Sequence, residues 1–343
     1  MAINPARKTR LKDVAAAAGV SSATASLILN DKTDAFPTST IDRVRESAAR
    51  LGYRPNALAR SLRSQRTHTI GLISDEIATT PFAGAMIRGA QEAAWKAGHV
   101  LMHIDTEGDY EMEQAALEAM LERKVDGLVY ARMHHQVVDI PDVLTEVPAV
   151  LLDAREPTET LASVVPDERS GAKGAVEHLI AMGHTRIGFV QCVDPIPAAY
   201  QRLDGFQTAL KEAGLDYNER WTVIDPLEPG GHALEVDRLL AGSDRPTALF
   251  CFNDRMALGA YNSARRLGLR IPEDLSVVGF DNLETVAPWL DPGLTTVELP
   301  HYEMGRWAVD YLERLIDGES LAPEQHLMEC PLIERNSVSR RQM

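Results

Sequence analysis

Behind residue 66 the sequence keeps to one rhythm that few folds admit: short apolar runs alternate with longer stretches of helical spacing. Strands are expected at 69–74, 100–105, 127–130, 149–153, 186–192, 248–253, 276–281 and 295–299. Helices are expected between them at 84–97, 110–123, 168–182, 199–213, 254–267 and 304–317. Glycines close many of these (Gly98, Gly183, Gly214, Gly268, Gly318), as suits a helix C-terminus. Strands alternating with helices imply parallel sheets covered on both faces. Residues 67–343 exceed what one core usually serves, so two lobes are expected. The segments "KAGHVLMHID" and "AMGHTRIGFVQ" each run helix, Gly-His, strand, a weak repeat that supports two similar halves. Ligands of open parallel sheets sit beyond the strand C-termini, and two facing lobes make a hinged cleft.

Charge separates this body from what precedes it. Residues 1–66 hold 12 basic and 5 acidic side chains, a net +7; the rest hold 23 and 45, a net −22. A basic head on an acidic body suggests that only the head meets a polyanion. The three cysteines (Cys192, Cys251, Cys330) are far apart, which argues against a disulfide framework or a Cys-based metal site and fits a reducing cytoplasm. No apolar run approaches the ~18 residues of a membrane span, and no apolar signal region follows the basic start, so neither membrane insertion nor export is expected.

Within the head, Leu11, Val14, Ala15 and Ala18 share one helical face, and Gly19 ends that helix. Val20 can plug the corner, and Ser21 is a ready N-cap for a second helix over 22–29. Ala25, Ile28 and Leu29 face inward there; Ser22, Ala23, Ser26 and Leu27 face outward. Two short helices around a glycine turn form the helix-turn-helix pattern, whose second helix enters the DNA major groove. A third helix follows Pro37, with Ile41, Val44, Ala48 and Leu51 on one face and Gly52 closing it. Pro55 suits a first helical turn, but the eight residues after it form only about two turns. A helix that short is marginal in water, so it is expected only where something holds it.

The strings "LKDVAAAAGVSSATASLILN", "LGYRPNALARSL" and "RTHTIGLI" resemble the head and hinge of the lactose-repressor (LacI/GalR) family of bacterial transcription regulators. The resemblance extends over nearly the whole chain. It implies a mixed α/β protein: an all-α helix-turn-helix head and hinge helix, then a two-lobe, periplasmic-binding-protein-like body of parallel sheets flanked by helices. The expected divisions are 9–53 for the head, 54–66 for hinge and linker, and 67–343 for the body. Within the body, 67–164 and 295–323 form the first lobe, and 165–294 and 324–343 the second, with crossings near Val164, Leu294 and Pro323.

The resemblance also implies roles. Ser22, Ala23 and Leu27 fall at positions that read base edges, and Thr24 and Ser26 at positions that hold phosphates. Asn30, Tyr53, Asn56 and Ala59 join the DNA-binding set, and Leu62 matches the leucine that wedges into the minor groove. Many members carry Arg where this chain has Leu27; Leu offers a base only apolar contact, so the operator half-site should differ. Effector contacts are expected from Asp153, Arg202, Asn253 and Asp281 at strand ends, with Phe82 stacking on a sugar face and Tyr130, Arg132 and His301 as further candidates. Carboxylates, amides and Arg suit a polyhydroxylated ligand. Asp254 is expected to be a helix N-cap. Leu258 and Trp289 match dimer-interface positions, and the chain ends without a heptad tail, so a homodimer is expected and a coiled-coil tetramer is not.

There is no phosphate loop, dinucleotide fingerprint or nucleophile elbow, and no cofactor or metal is expected. His134-His135 reads as a solvated loop dyad. The expected function is a repressor that binds pseudo-palindromic operator DNA under control of a sugar-like effector. The alternatives are a transporter's sugar-binding protein, which would need export and no basic head, and a sugar-acting enzyme with a fused DNA-binding head.

Overall fold

The structure, a computed structural model, describes residues 9–54, 66–78, 80, 84–226 and 233–341. Two compact units divide at Thr67 and His68. In the first, α1 (Leu11–Ala18), α2 (Ser22–Ile28) and α3 (Thr38–Arg50) surround a core of Val14, Ala15, Ala18, Ala25, Ile28, Val44 and Ala48. Gly19, at φ 63°, turns the chain between α1 and α2, a conformation that costs glycine little. Ser21 Oγ then accepts the Thr24 backbone N–H at 3.0 Å, capping α2. Arg43 Nε donates to Ala18 O at 2.7 Å, tying α3 to the carbonyl end of α1. Leu51, expected inside, lies past the end of α3 and is exposed.

The second unit holds two six-stranded sheets. The first lobe contains β1 (Thr69–Ser74), α4 (Gly84–Lys96), β2 (Val100–Asp105), α5 (Tyr110–Glu122), β3 (Gly127–Val137), β4 (Ala149–Arg155) and β5 (Ala162–Pro166). The second contains α6 (Glu168–Ala181), β6 (Ile187–Gln191), α7 (Pro197–Glu212), β7 (Thr222–Ile224), α8 (Leu234–Ala241), β8 (Ala248–Cys251), α9 (Asp254–Arg266), β9 (Ser276–Asp281) and β10 (Thr295–Glu298). Helix α10 (His301–Ile316) and β11 (Gln325–Met328) return to the first lobe, and β12 (Leu332–Ile333) ends in the second.

The sheet orders are β11-β5-β4-β3-β1-β2 and β12-β10-β9-β8-β6-β7. Among the described residues only β12 pairs antiparallel, on β10. The first sheet is apolar on both faces, as helix-covered parallel strands require. Val129 and Ala131 pack toward α4 and α10, whereas Leu128 and Tyr130 pack toward α5. The second lobe centres on Phe189, Phe206, Phe250 and Phe280, whose rings lie within stacking or edge distance of one another.

Two expected crossings are displaced. Residues 295–298 pair with β9 and belong to the second sheet, and residues 325–328 pair with β5 and belong to the first. The chain therefore crosses after β5, after β10 and after β11, rather than near Leu294 and Pro323. An apolar strand reads alike in either sheet, and only its hydrogen-bond partners assign it. Strands β5, β7, β11 and β12 and helix α8 were not foreseen; all are short.

Candidate functional site: an inter-lobe cavity and a helix-turn-helix face

On the head, Ser22, Ala23 and Leu27 are exposed on one side of α2, and Leu27 keeps 40% of its surface. Thr24 and Ser26 are half-buried; Thr24 Oγ1 lies 2.9 Å from Ser21 Oγ, and Asn30 Nδ2 donates to Ser26 O at 2.6 Å. Tyr53 is half-buried against the head core, which engages its ring in packing. Asn56, Ala59 and Leu62 lie outside the described residues, as does Phe82.

In the body, Asp153, Arg202, Asn253, Asp281 and His301 line one cavity between the lobes. Five elements deliver them: the ends of β4 and β9, the first turn of α10, helix α7, and the N-cap of α9. Its enclosed volume is about 50 Å³, far below the ~300 Å³ typical of a ligand pocket, so the lobes must part to admit one.

The second-lobe wall is organised around Arg202, whose guanidinium is buried. It donates to Glu168 Oε2 at 2.6 Å and Oε1 at 3.0 Å, to the Phe252 carbonyl, and to Asp281 Oδ1 at 3.4 Å. Its Cζ sits 3.7 Å from the Phe280 ring centroid and 4.4 Å from that of Phe252. Burial opposes the cation, but Glu168 and Asp281 raise its pKa. Burial also pushes the Asp281 carboxyl well above the usual carboxylate range, with Arg202 opposing.

The first-lobe wall brings His134, His135 and Asp153. The dyad was expected in a solvated loop; instead β3 runs on past Tyr130, and its register shifts between Ala131 and Gln136. Such an irregularity re-aims side chains, and His135 is fully buried. Its Nδ1 lies 3.9 Å from Asp153 Oδ1 and 4.0 Å from Glu168 Oε1. Burial holds its pKa down to about 4. Neither His135 ring nitrogen nor Asp153 Oδ1 makes a hydrogen bond. His134, His135, Asp153 and Asp281 all have positive φ, a costly conformation outside glycine that tends to gather at functional sites.

Three expectations resolve differently. Tyr130 and Arg132 point away from the cavity, toward α5: the Tyr130 hydroxyl donates to Glu113 Oε1 at 2.9 Å, and Arg132 pairs with the same carboxylate. They sit on the opposite sheet face, because side chains alternate along a strand. Asn253, not Asp254, caps α9, accepting the Met256 N–H at 2.9 Å. Asp254 instead takes the Thr296 hydroxyl at 2.5 Å and the Leu283 N–H at 2.6 Å, and burial lifts its pKa to about 6. Glu168 and His135 were the site residues that spacing did not reveal. The only signal was an acidic residue opening a helix beside a strand end, and a His pair with no assigned purpose. Leu258 and Trp289 share an outer groove of the second lobe, where Trp289 is 78% exposed.

A three-helix head with a helix-turn-helix and a two-lobed body with a polar cavity at its strand ends are the architecture of a DNA-binding regulator. A family profile described as "Bacterial regulatory proteins, lacI family" matches residues 10–56, and one for a periplasmic binding protein-like domain matches 176–338. The HTH-type transcriptional repressor PurR of Aliivibrio salmonicida is 36% identical over 330 residues, 96% of this chain and 98% of that protein. The lac repressor dimer bound to operator and the anti-inducer ONPF superposes with TM-score 0.77 at 27% identity, covering 97% of this chain and 100% of the other. A transcriptional regulator CelR–cellobiose complex superposes with TM-score 0.64 at 28% identity over 96% and 100%. The chain belongs to the LacI family and is a DNA-binding transcriptional repressor. No helix among the described residues is long and apolar enough to cross a membrane.

Proposed function

We propose that this repressor acts in the cytoplasm as a homodimer on a pseudo-palindromic operator, and that a small polar effector, sugar-like in its hydrogen bonding, controls its affinity from the inter-lobe cavity. The observation that carries the reading is the convergence of Asp153, Arg202, Asn253, Asp281 and His301 on one cavity in a chain that also bears a helix-turn-helix. A solved relative in complex with cellobiose supports an effector of sugar character. Ser22, Ala23 and Leu27 meet base edges, Thr24 and Ser26 meet phosphates, and the hinge with Leu62 opens the minor groove. Leu258 and Trp289 anchor the partner protomer, so two heads present two half-sites. Effector binding favours one lobe arrangement over another, and that arrangement sets how the hinges pair on DNA. A coupling of about 5–150-fold in operator affinity is usual for such a device. The reading needs no cofactor and no turnover of the ligand.

The test is operator selection from a randomised duplex pool, followed by affinity measurement with and without candidate sugars. Asp281→Ala is expected to bind operator like wild type and to lose the effector response; a normal response removes Asp281 from the site. If a dimer neutralises ~8 phosphates, log affinity falls against log salt with a slope near −7. A flat salt dependence contradicts phosphate-led binding.

A further inference from the structure

We propose that the effector carries a protonated nitrogen, as in an amino sugar, which seats between Asp153 of the first lobe and Glu168 of the second. This rests on the effector reading above and names the class of molecule that reading leaves open.

Three carboxylates (Asp153, Glu168, Asp281) line the cavity against one guanidinium, Arg202. That cation is already engaged by Glu168, at 2.6 and 3.0 Å, and by Asp281 at 3.4 Å. Asp153 is left over. It is 3% exposed, its Oδ1 has no hydrogen bond, and the nearest basic atom is His135 Nδ1 at 3.9 Å. His135 does not supply the charge, since burial keeps its ring neutral near pH 7. The first-lobe wall therefore presents an acceptor oxygen and an unpaired imidazole edge that no group among the described residues uses. An uncompensated buried charge is costly, and an ammonium cancels it where a hydroxyl does not.

The same geometry links recognition to lobe closure. Asp153 and Glu168 stand on opposite lobes, so their repulsion acts across the cleft, and a cation between them turns it into attraction. Burial first, then Glu168, raises the Asp153 carboxyl well above the usual range; Asp75 adds to this, and the His134 and His135 backbone N–H groups oppose it. The carboxylate is therefore costly to keep charged without a partner, and an ammonium offsets that cost where a neutral ligand does not.

Calorimetry on the full-length protein at pH 7.0 tests this with matched probes: D-glucosamine against D-glucose, and D-galactosamine against D-galactose. The expected result is an amine bound about tenfold or more tighter than its neutral partner, the difference typical of a charge-assisted hydrogen bond. Asp153→Asn is expected to bind amine and neutral sugar alike; a preserved preference for the amine overturns the proposal. Its unliganded melting temperature at pH 8 is expected to equal or exceed that of wild type, because the variant no longer buries an unpaired carboxylate. A lower melting temperature makes Asp153 structural and overturns the proposal. Neutral sugars binding as tightly as amines overturns it too, but leaves the effector reading intact. If no probe of either kind binds or alters operator affinity, the amino-sugar class is rejected, and a screen of other neutral metabolites then decides the effector reading separately.

Discussion

The two walls of the cavity are built on opposite plans. The second lobe's wall is complete in itself: Arg202, Glu168, Asp281 and the Phe252 carbonyl satisfy one another over a platform of two phenylalanines. The first lobe's wall is incomplete: His135 and Asp153 are equally buried, yet His135 Nδ1, His135 Nε2 and Asp153 Oδ1 have no hydrogen bond. A satisfied network rigidifies, and an unsatisfied one stores a cost that a ligand can relieve. The contrast teaches which lobe holds its shape before the ligand arrives and which is completed by it.

The sharpest way to break that contrast is Arg202→Met. It strands two buried carboxylates, and breaking a buried ion pair costs about 3–5 kcal/mol. Urea unfolding is expected to show the second lobe failing first; a loss under ~1 kcal/mol ends the claim that this wall is self-sufficient.

His135 tests the other wall through pH. Its folded pKa, about 4, lies below the ordinary value of 6.5, so the folded state binds fewer protons than the unfolded one below pH 6.5. Its contribution is whole above pH 6.5 and is lost as pH falls toward 4, by roughly 3 kcal/mol at most. His135→Gln is expected to flatten the stability profile across that window. An unaltered slope places the imidazole in water.

Away from the cavity the lobes are built alike, and each clamps two helices with a glycine. A Cβ on Gly305 of α10 would fall 2.0 Å from Met86 O of α4, and one on Gly205 of α7 would fall 2.3 Å from Arg169 O of α6. Gly305→Ala and Gly205→Ala are each expected to cost about 1–3 kcal/mol, read as a lowered melting temperature. Neutral outcomes indicate that the helix pairs separate easily.

The smallest effect is expected at Arg169, which pairs with Asp204 on the solvent side of the same α6–α7 pair that buries Arg202 with Glu168. Its side chain is 49% exposed, and Arg169→Ala is expected to leave the melting temperature nearly unchanged. An effect comparable to Arg202→Met erases the distinction between the buried and the exposed pair.

The sequence by itself determined every element whose signal is local. The head helices followed from 3.6-residue periodicity with a glycine stop and a serine cap, and the eight expected strands followed from apolar runs. Asp153, Asn253 and Asp281 were accessible because strand ends in open parallel sheets point at a cleft, and Arg202, on a helix, because the family resemblance marks it. Tertiary structure decided what depends on partners distant in the chain. Residues 295–298 and 325–328 took their sheets from hydrogen bonds to β9 and β5, which composition does not encode. Tyr130 and Arg132 turned to the far face because strand parity, not residue type, aims a side chain. The register shift in β3 carried His135 inward, and the crossing after β5 set Glu168 against Arg202, so the charge balance of the cavity emerged only on folding. Whether a carboxylate is paired depends on what surrounds it in space, and the residues that surround Asp153 come from segments far apart in the chain.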